Sequence, residues 1–162
     1  MPQTATINPR IIEGLYCEAL VLSDEVRAAF DLSRRLDDHS ETVGGDENIA
    51  RVALSCEALR TTTRMMHAIA WLLNHRAYLA GEISEFQLRR HGRLAPDYPT
   101  AEPDRMALLA PDIRKLITTT EKFYARLLRV DHGWRTQNST MPSAIERLRH
   151  RLSEQVNRVI GA

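Results

Sequence analysis

The sequence lacks the features that would place it in a membrane or send it out of the cell. No apolar run reaches the roughly 18 residues of a membrane span. Residues 1–10 have no basic start followed by an apolar core, so they are not a secretory signal. The two cysteines, Cys17 and Cys56, form neither a CxxC nor a metal-ligand spacing, so we expect reduced thiols or at most one disulfide between helices. These absences predict a cytoplasmic protein.

Signals for cofactors and for enzymatic chemistry are equally scarce. Strand patterns are nearly absent, so no glycine-rich loop follows a strand, as phosphate-binding motifs require. None of the six histidines has a second histidine three or four residues away, the spacing of a helical metal site. The sequence therefore predicts no catalytic residues, no metal site and no cofactor. An enzyme with a site hidden between helices is the least favoured alternative.

What the sequence does have is helical periodicity, in four segments. Asn8-Pro9 marks the start of the first helix, because a capping residue followed by proline is typical of helix N-termini. Its apolar stripe comprises Ile12, Leu15, Ala19, Leu22, Val26 and Phe30. The third segment should start at Pro111 and end near Gly133, with a stripe that comprises Ile113, Leu116, Thr120, Phe123, Leu127 and Val130.

The second helix, predicted from about Glu47 to Leu79, has the most regular apolar pattern in the chain. Steps of three and four connect Ile49, Val52, Cys56, Leu59, Thr63, Met66, Ala70, Leu73 and Ala77. Met65, Ile69 and Leu72 widen this apolar arc to more than half of the circumference. A helix with so much apolar surface should contact neighbours on several sides. We therefore expect it to be the central element, ending near Gly81.

These segments predict an all-α protein, an up-and-down bundle of three long helices with an additional C-terminal amphipathic helix. Residues 1–162 should form a single helical domain, with a flexible N-terminus at 1–8 and loops at 38–46 and 92–104. The C-terminal helix is expected at 142–160, where Ser143 and Glu146 fit a capping box. The pattern leaves open whether this helix packs on its own bundle or on a partner chain.

One side of the second helix combines arginines with aromatic rings, which a purely solvated face has little reason to carry. Helical spacing brings six residues into one arc opposite the apolar one: Arg60, Arg64, His67, Trp71, Asn74 and Tyr78. Tryptophan, tyrosine and arginine are enriched at interface hot spots, so we interpret this polar-aromatic face as a partner-binding surface. The alternative is a third helix that covers Trp71 and Tyr78. Arg76 falls in the apolar arc, which predicts an internal ion pair or a contact across a dimer.

The fourth segment, "IERLRHRLSEQVNRVI", is basic, with four arginines against two glutamates. A basic helix can bind nucleic-acid phosphates, which makes a nucleic-acid-binding or transcription-linked protein the second hypothesis. Nucleic acid is nevertheless the less favoured partner. The formal net charge of the whole chain is only +1, so no global field attracts it to nucleic acid or to an anionic membrane.

The stretch "CEALRTTTRMMHAIAWLLNHRAYLAGEIS" resembles the signature region of the regulator of CtrA degradation family, small helical proteins of alphaproteobacteria. The order of elements is also similar over roughly residues 10–132. The resemblance implies a non-enzymatic adaptor: a three-helix bundle that forms a homodimer and helps deliver a cell-cycle transcriptional regulator to the ClpXP protease, together with a response-regulator partner. The polar-aromatic face is then the candidate docking surface.

Overall fold

The computed structural model describes residues 6–38, 45–96, 98, 100–139 and 152, and within these ranges the protein is all-α. Its helices are α1 (Pro9–Asp38), α2 (Gly45–Leu79), α3 (Glu85–His91), α4 (Pro103–Ala107) and α5 (Pro111–Ser139). None of the helices in the described ranges is both long enough and apolar enough to cross a membrane. The helix predicted at 142–160 and the N-terminal residues 1–5 lie outside the described residues, Leu152 excepted.

Capping residues set several helix ends as the sequence predicts. The backbone N–H of Arg10 donates to Asn8 Oδ1 at 2.9 Å, which caps the start of α1. After α2, Gly81 has a φ of 78°, in the left-handed region that glycine adopts without strain. Ser84 and Gln87 form a capping box at the start of α3. The predicted signals at Asn8 and Gly81 are therefore confirmed, and the capping box at Ser84 is a finding of the structure.

The end of α5 differs from the prediction, because the helix continues through Gly133 to Ser139. A glycine inside a helix costs only about 1 kcal/mol relative to alanine, which neighbouring contacts can offset. Trp134, the next residue, is buried, so the helical register beyond Gly133 places a large apolar side chain out of water. The predicted stop at Gly133 is wrong.

Residues 7–131 form one compact unit, and residues 132–139 belong to a second unit. Two apolar clusters make up the core of the first unit, and both join α1, α2 and α5. One contains Ile12 near the start of α1, Leu72 near the end of α2 and Leu127 of α5. The other contains Phe30 of α1 and Ala53 of α2, with Ile113 at the start of α5. The bundle is therefore confirmed for residues 7–131, whereas the single domain over 1–162 stays a prediction.

The clusters also give the directions of the long helices, and α5 departs from an up-and-down path. Arg64 of α2 donates to Thr120, and Trp71, seven residues later, donates to Asp131. Because both residue numbers rise together, α5 runs in the same direction as α2, while α1 runs opposite to both. The connection from 80 to 110, which includes α3 and α4, must therefore return the chain along the length of the bundle.

The stripes predicted for α1 and α5 face the core, but α2 is turned the other way. All six stripe residues of α1 are buried, and those of α5 are buried or half-buried. On α2 the large residues of the predicted apolar arc, such as Leu59 and Met66, are mostly exposed instead. The residues that α2 buries are Ala53, Glu57, Thr61, Arg64, Met65, Ala68, Trp71, Leu72 and His75. α2 does contact α1, α3, α4 and α5, as expected of a central helix, but of the predicted apolar arc only Met65 and Leu72 are fully buried in these contacts.

Candidate interaction sites on the second helix

The polar-aromatic face of α2 is mostly covered within residues 7–131, contrary to the prediction of an exposed surface. Arg64 and Trp71 each retain only 2% of their accessible surface. Arg60, Asn74 and Tyr78 are half-buried, and His67 is exposed. The predicted exposure is therefore wrong for Arg64 and Trp71, and only His67 lies open. The contacts of the five covered residues therefore show what this face binds.

Trp71 is a core residue with its polar atom satisfied. The indole Nε1–H donates to Asp131 Oδ1 at 3.0 Å, and the ring lies 4.1 Å from the His75 ring, centroid to centroid. A buried tryptophan needs a partner for its N–H, and here α5 supplies one. The alternative interpretation, in which a third helix covers Trp71, matches the structure.

Arg64 is a buried cation that joins α2 to α5. Its Nη1 donates to Thr120 Oγ1 at 2.9 Å, and its Nη2 lies 3.4 Å from Glu121 Oε1. The guanidinium also lies over the ring of Tyr98, 5.5 Å from the centroid. Burial lowers the pKa of Arg64, and the charge of Glu121 opposes this shift, so the group stays a cation at neutral pH. Arg64 therefore makes its charge interactions inside the protein.

Arg60 binds the chain segment that returns from α3 to α4. We call its described residues, Leu94–Pro96, Tyr98 and Thr100–Glu102, the strap. Arg60 Nη1 donates to the carbonyl oxygen of Thr100 at 3.0 Å, and Nη2 donates to Glu102 Oε1 at 2.6 Å. One guanidinium thus holds both a main-chain carbonyl and a carboxylate of the strap, a charge-assisted arrangement.

Further hydrogen bonds hold the strap on α2 and α5. The hydroxyl of Tyr98 donates to the Arg60 carbonyl oxygen at 2.8 Å, and the hydroxyl of Tyr124 donates to the Ala95 carbonyl oxygen at 2.9 Å. The backbone N–H of Ala101 donates to Glu121 Oε1 at 2.7 Å. The ring of Tyr98 meets His67 edge-on, at a centroid distance of 5.5 Å. The polar-aromatic face therefore supports the chain itself where it returns along the bundle. We call the groups of α2 and α5 that contact the strap the bed: Arg60, Arg64, His67, Glu121 and Tyr124.

Arg76 resolves to one of its two predicted roles, the internal ion pair. Its Nε donates to Glu13 Oε1 of α1 at 2.7 Å, and its guanidinium lies 4.3 Å from the centre of the Tyr16 ring. The hydrogen bond that Arg76 donates to Glu13 raises the pKa of Arg76. Both partners belong to α1, so Arg76 fastens the end of α2 to the start of α1.

The opposite side of α2 exposes the apolar arc without Met65, Ile69 and Leu72, which are buried or half-buried. We call it the outer stripe and define it as Ile49, Val52, Leu59, Met66 and Leu73 with the smaller Cys56, Thr63, Ala70 and Ala77 between them. The five large residues expose 58%, 61%, 71%, 63% and 44% of their surface, in chain order. A line of large apolar side chains in water is uncommon on monomeric proteins and typically marks a binding surface. Sequence reasoning found these residues and expected them to contact neighbouring elements as part of a central helix.

A groove between α1 and α2 continues the outer stripe. It has a volume of about 450 Å³, and Met66 of the outer stripe lines it together with Phe30, Met65 and Ile69. Arg27 and Arg34 of α1 also line it, each in an exposed ion pair with an aspartate of α1. The outer stripe and this groove form one apolar surface on the side of α2 that faces away from the strap.

Two buried polar side chains of α2 have no hydrogen-bond partner within the described part of the chain. They are Glu57, for both carboxylate oxygens, and Thr61, for its hydroxyl, and both residues are fully buried. Glu57 does interact electrostatically with the guanidinium of Arg64. No motif in the sequence distinguishes Glu57 from the carboxylates of the surface, because only the turned orientation of α2 places it inside. In the same described ranges, no three histidine, cysteine or acidic side chains gather as a metal site would require.

Comparison with known proteins supplies a family and no activity. No curated protein matches the chain. No solved structure matches it. One family model matches residues 3–156, almost the whole sequence, and its description is a protein of unknown function, DUF1465. The chain belongs to the DUF1465 family.

Proposed function

We propose that this protein is a non-enzymatic, cytoplasmic adaptor of regulated proteolysis that acts as a homodimer. In this role it binds a transcriptional regulator and a response-regulator partner and delivers the regulator to the ClpXP protease. The proposal takes the proteolytic role from the resemblance of residues 56–84 to the regulator of CtrA degradation family. Its mechanism is tethering, in which a linked cargo reaches a high effective concentration at the protease without covalent chemistry.

The outer stripe is the observation that carries the protein-binding part of the proposal. Nothing in the described part of the chain covers the exposed surface of these large residues, so a bound polypeptide would bury it, and burial contributes about 25 cal/mol per Å². Scattered single apolar residues on a surface need no partner, whereas a line of them along one helix does. A helical seam with this spacing is the pattern through which two helices pack side by side.

The order of side-chain sizes along the outer stripe favours a second copy of the chain as the occupant. Between Val52 and Ala77, large residues (Val52, Leu59, Met66, Leu73) alternate with small ones (Cys56, Thr63, Ala70, Ala77). Two such helices running antiparallel can place each large residue of one copy over a small residue of the other. The same patch then serves on both copies, as a two-fold dimer requires.

A double substitution on the outer stripe tests the dimer. We expect Leu59→Glu with Met66→Glu to convert a dimer into a folded monomer, because two carboxylates cannot be buried in the seam unpaired. Light scattering after size exclusion measures the mass, and circular dichroism checks the helix content. Phe86→Glu on α3 is the matched control, since Phe86 is as exposed as Leu59, at 71%, but lies off the stripe. A wild-type monomer, or a double variant that stays dimeric, contradicts the proposed seam.

A reconstituted degradation assay tests the adaptor role itself. Purified ClpXP, a receiver-domain response regulator and the CtrA regulator are combined with and without this protein, and loss of the regulator is followed over time. We expect degradation to accelerate several-fold with the wild type and to return to the basal rate with the monomeric double variant. Equal rates with and without the protein would refute the adaptor role while leaving the dimer test unaffected.

A further inference from the structure

The strap is bound to the bundle through its main chain and its side chains, as a bound peptide is. Three side chains of the bundle form hydrogen bonds with its main chain. Arg60 and Tyr124 donate to carbonyl oxygens, and Glu121 accepts from the Ala101 N–H. Main-chain contacts of this kind give affinity without regard to sequence, while side-chain pockets give specificity. The bed on α2 and α5 therefore has the first of the two parts of a peptide-binding site.

Two side chains of the strap supply the second part, specificity. The Tyr98 ring lies against His67 and Tyr124, with centroid distances of 5.5 Å to each, and beneath the guanidinium of Arg64. Four residues later, the Glu102 carboxylate meets Arg60 at 2.6 Å. The bed thus has one aromatic slot and one cationic slot, and it fits a segment in which an aromatic residue is followed, after three others, by an acidic residue.

Leu94 is the one fully buried residue among the described residues of the strap, and Tyr98 and Ala101 pack on the core only partly buried, so the strap can lift without unfolding the core. Leu94 anchors its first end in the apolar cluster with Ile12 and Leu127. Beyond Leu94 every described strap residue is half-buried or exposed. Elements with few buried apolar contacts are those that open locally while the rest of a protein stays folded.

Glu57 offers Arg60 a new ion-pair partner within α2 when the strap lifts, which offsets the loss of Glu102. With the strap in place, the Glu57 carboxylate is fully buried, and no described group donates to it. Arg60 lies three residues further along α2, a spacing at which helical side chains meet, but it is engaged with Thr100 and Glu102. When the strap lifts, Arg60 is released from Glu102 and can pair with Glu57 instead.

We propose that the bed on α2 and α5 is a peptide-binding site which the strap occupies in cis, and which a partner segment with an aromatic residue followed four positions later by an acidic residue takes over when the strap lifts. This surface lies on the other side of α2 from the outer stripe, so the proposal does not depend on the dimer or on proteolysis.

Binding of the strap sequence in trans tests the proposal. The probe is a fluorescein-labelled synthetic peptide of residues 93–104, and anisotropy reports its binding to the full-length protein. We expect weak binding to the wild type and at least tenfold tighter binding to the double variant Tyr98→Ala with Glu102→Ala, whose own strap is loosened. A peptide that carries the same two alanines should not bind either protein.

The matched control replaces a glutamate and a tyrosine that contact a different arginine, Arg76. Glu13→Ala with Tyr16→Ala strips Arg76 of a carboxylate and a ring, as the strap variant strips Arg60 and Arg64. This control should bind the peptide no better than the wild type. A folded strap variant that binds no peptide, or a control that binds it equally well, would overturn the proposal.

Hydrogen exchange on the wild type keeps the proposal testable even if the strap variant fails to fold. We expect the Ala101 amide to exchange at least a hundredfold faster than the core amide of Leu72, because the strap opens without the core. Glu57→Gln should slow Ala101 exchange several-fold, since the variant removes the carboxylate that receives Arg60. If Ala101 exchanges only as fast as Leu72, the strap does not lift and the proposal is wrong.

Discussion

The two long sides of α2 differ in a way that reverses the usual relation between polarity and burial. The side with arginines, a tryptophan, a histidine and a glutamate faces the interior, and the side with leucine, methionine, valine and isoleucine faces water. On the inner side, polar atoms meet partners from α5 and from the strap, such as Thr120 for Arg64 and Asp131 for Trp71. On the outer side, no comparable set of contacts covers the large residues within the described part of the chain.

The comparison shows that helical periodicity predicts which residues share one side of a helix, but not which side packs against the core. Hydrophobic burial favours placing the outer stripe in a core, yet the geometry of the connection decides otherwise. Because α5 runs parallel to α2, the returning segment needs a bed along both helices, and extended backbone needs hydrogen-bonding partners along its length. A polar-aromatic face supplies those partners, which leaves the apolar side free for an association outside the bundle.

The largest expected effect comes from removing the inner tryptophan. Trp71→Ala should lower the free energy of unfolding by about 3–5 kcal/mol, through lost burial and the cavity left behind. Urea denaturation in the monomeric background of Leu59→Glu with Met66→Glu measures this loss without a contribution from the dimer. Leu73→Ala, two residues away on the outer stripe, should change the stability of the same background by less than about 1 kcal/mol. Similar losses for both variants would show that the two sides do not differ as the structure indicates.

Replacing the buried Arg64 should destabilise the protein more than replacing the exposed Arg76. Arg64→Met removes one partner of a buried charge network and leaves the Glu121 and Glu57 carboxylates near an apolar side chain. We expect a loss of about 3 kcal/mol, because a buried charge left without its partner is strongly destabilising. Arg76→Met breaks an ion pair that is shorter, at 2.7 Å against 3.4 Å for Arg64 and Glu121, but whose side chains are well exposed, so its effect should be much smaller. Thermal melts of the two variants, compared side by side, test this order, and equal shifts would contradict it.

Local signals in the sequence predicted much of this fold. The stripes of α1 and α5 and the cap at Asn8 depend on residues close together in the chain, and the structure confirms them. The loop predicted at 92–104 ends earlier than expected, because α4 begins at Pro103. The site was predicted less well. The six residues of the polar-aromatic face do share one side of α2, but their partners Glu102, Glu121 and Asp131 lie about 40 to 60 residues away in the sequence. Nothing local indicates that those acids converge on this helix.

The direction of α5 explains most of the remaining errors. An up-and-down order would have given α2 two antiparallel neighbours and left the loop at 92–104 as a short connection at one end of the bundle. The length of the segment between α2 and α5 is compatible with either path, since a long connection can cross the bundle or fold at its end. Contacts between residues far apart in the sequence distinguish the two paths: the pairing of Arg64 with Thr120 and of Trp71 with Asp131, and the two core clusters.

The smallest expected effect is a dependence on alkaline pH that belongs to the inner side alone. Burial raises the pKa of the Tyr124 hydroxyl from 10 to about 12, so the folded protein holds this proton more tightly than the unfolded chain does. The resulting stabilisation is fully present below pH 10 and is lost as the pH rises from 10 towards 12; two pKa steps correspond to about 2–3 kcal/mol at most. In urea denaturation, the wild type should therefore lose stability relative to Tyr124→Phe over this range, while the difference between the two proteins stays constant from pH 7 to 9. A constant difference up to pH 11.5 would mean that the Tyr124 hydroxyl, and with it the hydrogen bond to Ala95 of the strap, is as accessible to water as an outer residue.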